Sequence, residues 1–193
     1  MAGPMQKMTT TTTVDEGMNS EDIEAFLRHT GCRKPRVIAS DELELRRPMS
    51  SGQILITNTD VKTGDGIHWV LFYIGKNKEL NYFDPLGECS IEYGNFKKFI
   101  AKYNKLTSNQ GFPVQHDSSS KFSNTCAMHC LFVAHLFCDH SGRFQSLRDV
   151  MKVYKVPHSE DDISENECMV LYYLNKRFTT HSPIFKQLKG CND

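Results

Sequence analysis

Apolar residues recur along this chain with two different periods. Over residues 21–29 they fall at Ile23, Phe26 and Leu27, one face of a helix, and Asn19 or Ser20 stands where an N-cap belongs. Residues 53–58, 68–74 and 79–84 read as strands, with Gly75-Lys76-Asn77 as hairpin chemistry between the last two. A three-residue loop there would set Ile74 opposite Lys78, Phe72 opposite Leu80, Val70 opposite Tyr82 and His68 opposite Asp84. A two-residue loop would shift the register and break that last pairing. Residues 93–104 return to the helical period, with Phe96, Phe99, Ile100 and Tyr103 inward and Lys98, Lys102 and Lys105 outward. Residues 112–115 are a candidate strand. Residues 126–138 are apolar nearly all round, a buried helix with Ser123, Asn124 and Thr125 as capping candidates. A last helix is expected over 163–178. The pattern predicts an α+β fold, a small, mainly antiparallel sheet packed with helices.

Composition adds limits. The chain has 193 residues, enough for one domain with a substantial core. Residues 1–17, with the run Thr9 to Thr13, read as a disordered tail, and 18–193 as the folded domain. Positive and negative side chains balance at 23 each, so no global charge draws the chain to nucleic acid or a membrane surface. No apolar run has the ~18 residues of a membrane span. The first residues lack a secretory-signal pattern, so a protein of the cell interior is expected. Seven cysteines at irregular spacing, 32, 89, 126, 130, 138, 168 and 191, read as reduced thiols that serve mostly as small apolar residues.

Cys126 is the exception among them. Its position at the start of an apolar helix puts the thiol beside unpaired backbone N–H groups and the positive end of the helix dipole, which favour the thiolate. A thiolate is the form that attacks a carbonyl, and the same N–H groups can hold the resulting oxyanion. Cys130 and Cys138 lie deeper in that helix and read as core. His68 with Asp84 supplies a base and its orienter in the hairpin register above. A lone histidine at a strand start is commonly structural, so the pairing with Asp84 is what singles it out.

Gly66-Ile67-His68-Trp69, Tyr82-Phe83-Asp84-Pro85-Leu86-Gly87 and Ser123-Asn124-Thr125-Cys126 together resemble the adenovirus maturation proteases, the adenain family, and similar enzymes of large DNA viruses and virus-like transposons. Thr30-Gly31-Cys32, Val156-Pro157-His158-Ser159 and His181-Ser182-Pro183-Ile184-Phe185 extend the likeness over roughly 18–188. The resemblance implies a papain-like fold of the adenain and ubiquitin-like-protease type. It implies a cysteine endopeptidase with Cys126 as nucleophile, His68 as base and Asp84 as orienter. Its substrates would be viral structural precursor proteins cleaved during virion maturation, with a preference for small residues, especially Gly, near the cut. It would act as a monomer inside the virion and host cell, in the nucleus or a virus factory. No cofactor is required by the sequence; by resemblance DNA, held through Lys98, Lys102 and Lys105, and an activating viral peptide are candidates.

The chain departs from the family pattern in three places. Gln115, expected to complete the oxyanion hole with the Cys126 backbone, stands eleven residues before the nucleophile, and Ser119 occupies the nearer position. Ala127 follows the nucleophile where the family usually has Gly. No cysteine lies between Cys89 and Cys126 to accept a peptide through a disulfide. Three other readings compete. One is a ubiquitin-like-modifier isopeptidase on the same fold. Another is a binding module with a dead site. The last is a zinc module using Cys126, His129, Cys130, His135, Cys138 and His140, although one continuous helix is a poor source of such ligands.

Overall fold

The computed structural model describes residues 18–32, 35–90, 93–116, 124–139 and 141–178. The 1–17 tail, Ser119, Ser123, His140, Cys191 and the segment His181 to Phe185 lie outside them.

A five-stranded sheet in the order β1-β2-β3-β4-β5 forms the centre. Its strands are β1 (Arg36–Ile38), β2 (Ile54–Asn58), β3 (Trp69–Ile74), β4 (Leu80–Phe83) and β5 (Leu106–Ser108). The three middle strands are antiparallel, but β1 joins β2 and β5 joins β4 in parallel, so the sheet is mixed rather than mainly antiparallel. The three-residue edge strands escape sequence reading because they are too short to show a period. Residues 112–115 form no strand: the N–H groups of Val114 and Gln115 both donate to the Pro85 carbonyl, at 2.8 and 3.1 Å, in a turn-on-turn contact.

Both sheet faces are covered, which explains why the middle strands are mostly apolar and why even Thr57, Asn58 and Asn81 within them are buried. Ile54, Ile56, Leu71, Tyr73 and Phe83 face helices α1 (Ser20–His29), α3 (Cys126–Cys138), α4 (Leu147–Met151) and α5 (Glu160–Phe178). Leu55, Val70, Phe72, Ile74, Leu80 and Tyr82 face the short helix α2 (Phe96–Ile100) and the segment carrying Ile38 and Leu43. α1 follows its sequence pattern, with Asn19 Oδ1 accepting from the Asp22 N–H at 2.9 Å and Ile23, Phe26 and Leu27 buried. α3 keeps its expected bounds and is buried around nearly its whole circumference. α2 is shorter than the helical period suggests, because tertiary bonds draw off both flanks. Tyr93 turns to Glu88 and Asp84, and Tyr103 accepts the Met49 N–H at 2.7 Å.

The hairpin register corrects the sequence reading by two residues. Ile74 pairs with Leu80 and Leu71 with Phe83. The three-residue loop is Lys76-Asn77-Lys78, closed by the Gly75 N–H on the Glu79 carbonyl at 3.1 Å, with Lys78 in the left-handed region at φ 57°. With both strand faces buried, side-chain alternation leaves this register open and the turn geometry selects it.

One cysteine pair departs from the reduced-thiol reading. Cys32, just past α1, and Cys138, ending α3, are joined in a disulfide across a sequence separation of 106. Their Cα atoms stand 5.2 Å apart because both helices end at the same edge of the core.

Candidate active site

His68 immediately precedes β3 and Asp84 immediately follows β4, so the open end of the hairpin brings them together. His68 Nε2 lies 2.7 Å from Asp84 Oδ1, and both side chains are buried. The two-residue register change preserves this pairing: side chains alternate with period two, so both residues stay on one face and meet on the diagonal.

A buried carboxylate needs several donors to offset its lost hydration. Asp84 Oδ1 also accepts the Leu86 N–H at 2.8 Å, and Oδ2 accepts the Tyr82 hydroxyl at 2.9 Å. Tyr93 Oη lies 3.2 Å from the same oxygen and 2.6 Å from Glu88 Oε2, so its single proton serves one of the two. Burial, and then the Asp84 charge, push both phenols far above their ordinary range and keep them as donors. The Asp84 backbone is clamped as well: its N–H donates to Asn109 Oδ1 at 2.9 Å and its carbonyl accepts from Asn109 Nδ2 at 2.6 Å.

Burial by itself would lower the His68 pKa. The hydrogen bonds and charges of Asp84 and Cys126 outweigh it, and His68 is pushed up to about 10. With Nε2 on Asp84, Nδ1 is the ring nitrogen left for Cys126. Cys126 begins α3 and borders a cleft of about 620 Å³ lined also by Asn58, Gly66, Ile67, Trp69 and Asn124. Ile67, next to the histidine, is 79% exposed and offers an apolar contact at the rim of that cleft. Cys130, one turn further along, is a core thiol: burial, then the charges of Cys126 and Asp84, raise its pKa well above normal, and it donates to the Trp69 carbonyl.

Gln115 is buried beside the Asp84 turn. The two loops interlock at Gly87, whose φ is 69° and where a Cβ would meet Pro113 N at 2.8 Å. The structure therefore ties the stretch carrying Gln115 to the stretch carrying Asp84. The capping expectation for α3 changes: Thr125 is the N-cap residue, but no side-chain capping bond forms, and its hydroxyl donates to Glu167 instead.

The lysines expected to form a basic stripe are engaged within the chain. Lys98 pairs with Glu44 at 2.6 Å, Lys105 with Glu79 at 2.7 Å, and Lys102 donates to the carbonyls of Glu44 and Arg46. The zinc set is dispersed: Cys138 is in the disulfide, and His129 Nδ1 is 3.2 Å from Tyr154 Oη. Burial lowers the His129 pKa to about 3, which keeps it neutral. Among the described residues no group of three or more His, Cys, Asp or Glu side chains is arranged to hold a metal ion, and no helix is long and apolar enough to cross a membrane.

Sequence reasoning missed Tyr82, Asn109 and Glu167. Tyr82 was accessible, since it lies two residues before Asp84 and so on the same strand face. Asn109 and Glu167 carry no local signal, because each acts across the fold on a residue distant in sequence. No protein-family model matches the chain, and a search of characterised protein sequences gives no significant match.

Proposed function

We propose that this chain is a cysteine endopeptidase with a papain-like fold of the adenain type, which cleaves viral structural precursor proteins during virion maturation. The observation that carries the proposal is the buried His68–Asp84 pair at 2.7 Å, with Cys126 acting on the same imidazole from the first turn of α3. The sequence segments around these residues add the resemblance to that family, which supports the choice of substrate class.

In this reading His68 takes the Cys126 proton, and the imidazolium stays beside the thiolate because Asp84 stabilises its charge. Thiolate sulfur attacks the scissile carbonyl carbon, and the C–O π pair moves onto oxygen. The Cys126 backbone N–H and the Gln115 side chain are the assigned donors to that oxyanion. Collapse of the tetrahedral species breaks the C–N bond, and His68 passes its proton to the leaving amine. The resulting thioester is hydrolysed by water. His68 removes one water proton, the hydroxyl adds to the carbonyl, and the thiolate leaves to regenerate the ion pair.

Incubation with the structural precursor proteins of the virus or element encoding the chain, followed by mass-spectrometric mapping of new termini, tests the reading. Wild type should cut beside small residues and Cys126→Ala should not, while keeping its fold. Cleavage retained in Cys126→Ala rejects the nucleophile. Release of a ubiquitin-like modifier from a lysine conjugate, with precursors left intact, would favour the isopeptidase alternative.

A further inference from the structure

Gln115 and His116 lie beside the Asp84 turn and Thr125 immediately precedes Cys126, and one side chain from α5 touches both stretches. Glu167 is fully buried. Its Oε1 accepts the His116 backbone N–H at 3.1 Å and the Thr125 hydroxyl at 3.1 Å. The first donor belongs to the peptide unit joining Gln115 to His116. The second belongs to the residue immediately before Cys126, and it is the hydroxyl that makes no capping bond on α3. One oxygen atom therefore bridges the backbone that carries Gln115 and the start of the nucleophile helix.

A buried acid at this place costs more than an apolar side chain of similar size would, unless its charge is matched. The His116 ring lies beside it: Nε2 is 3.8 Å from Glu167 Oε2 and 2.9 Å from Ser164 Oγ, while Nδ1 is 2.6 Å from Glu160 Oε2. The ring is held between two carboxylates on α5, so α5 grips the stretch on the Gln115 side through His116 and the stretch on the Cys126 side through Thr125.

We infer that Glu167 is a positioning residue that holds the Gln115 oxyanion donor in register with Cys126. The inference rests on reading Cys126 as nucleophile and Gln115 as donor. An oxyanion donor acts only within a few tenths of an ångström of its proper place, and misplacement by about 1 Å costs on the order of 100-fold in rate.

The test uses a fluorogenic peptide amide ending in Gly-Gly as substrate. It also uses iodoacetamide, whose reaction with a thiolate forms no oxyanion. Glu167→Gln keeps an oxygen acceptor and should turn over within about threefold of wild type. Glu167→Met, similar in length without an acceptor, should lose about 10- to 100-fold in kcat with KM nearly unchanged. Alkylation of Cys126 should run at the wild-type rate in both. Glu167→Met combined with Gln115→Ala should lose little beyond Gln115→Ala alone, since one donor is displaced in either case. Thr125→Val removes only one arm and serves if Glu167→Met melts below the assay temperature; it should lower kcat while alkylation is unchanged. Undiminished kcat in the folded acceptor-free variants, alkylation slowed as much as turnover, or losses that multiply in the double variant would overturn the inference. A wild type that alkylates at Cys126 yet cleaves no amide overturns the protease reading itself. A wild type that cleaves while Glu167→Met cleaves equally well overturns this inference alone.

Discussion

His68 and Asp84 share a 2.7 Å hydrogen bond although they are not cross-strand partners. Leu71 pairs with Phe83, so continuing the ladder sets Val70 opposite Asp84 and leaves His68 on the diagonal. An imidazole is long enough to span that diagonal, and the contact at Nε2 leaves Nδ1 as the second ring nitrogen.

That relationship sets a pH dependence. His68 is pushed up to about 10 in the folded protein, against about 6.5 for an unfolded chain. A raised pKa means that its contribution to stability is complete below about pH 6.5 and is lost as pH rises through about 10. Nitrogen NMR of the imidazole should show the high midpoint in wild type and a lower one in Asp84→Asn. An unchanged midpoint in Asp84→Asn would separate the two groups.

The free thiols should differ in reactivity. Cys126 borders the cleft, whereas Cys130 is fully buried and held as a thiol. Brief iodoacetamide treatment and peptide mapping should find Cys126 modified well before Cys130. Cys130→Ala should keep its activity and lose about 1 kcal/mol of stability. Faster labelling at Cys130 would contradict the assignment.

The Cys32–Cys138 bond makes a separate forecast, because it closes a loop of over a hundred residues. Such a crosslink stabilises by about 2–5 kcal/mol, mainly by restricting the unfolded chain. Reductant should lower the melting temperature of wild type by several degrees and leave Cys32→Ser unaffected. Equal shifts in both proteins would show that the crosslink contributes nothing.

DNA as a cofactor is a proposal that the lysine contacts make demanding. Lys98 and Lys105 already face carboxylates, so DNA must compete with Glu44 and Glu79 for them. Binding through these residues should appear only at low salt and fall by roughly one power of salt concentration per neutralised phosphate. Lys98→Glu with Lys102→Glu should abolish it, along with any DNA stimulation of cleavage. Binding that survives both reversals would move the contact to another surface.

The sequence determined the elements whose signals are local. α1 follows from helical spacing, α3 from a run that is apolar nearly all round, and the hairpin from two apolar runs around Gly75 to Lys78. Strand parity also set His68 and Asp84 on one face, since a shift of two residues leaves parity intact. The tertiary structure decided what parity and period cannot. It chose the hairpin register, because β3 and β4 are buried on both faces and every register satisfies the pattern. It added β1 and β5, whose three residues are too few to repeat. It joined Cys32 to Cys138, a distance in sequence that no spacing rule spans. It also gathered Tyr82, Tyr93 and Asn109 around Asp84, and Glu167 between His116 and Thr125. A buried charge must find its donors wherever the fold delivers them, and only the packed chain fixes where that is.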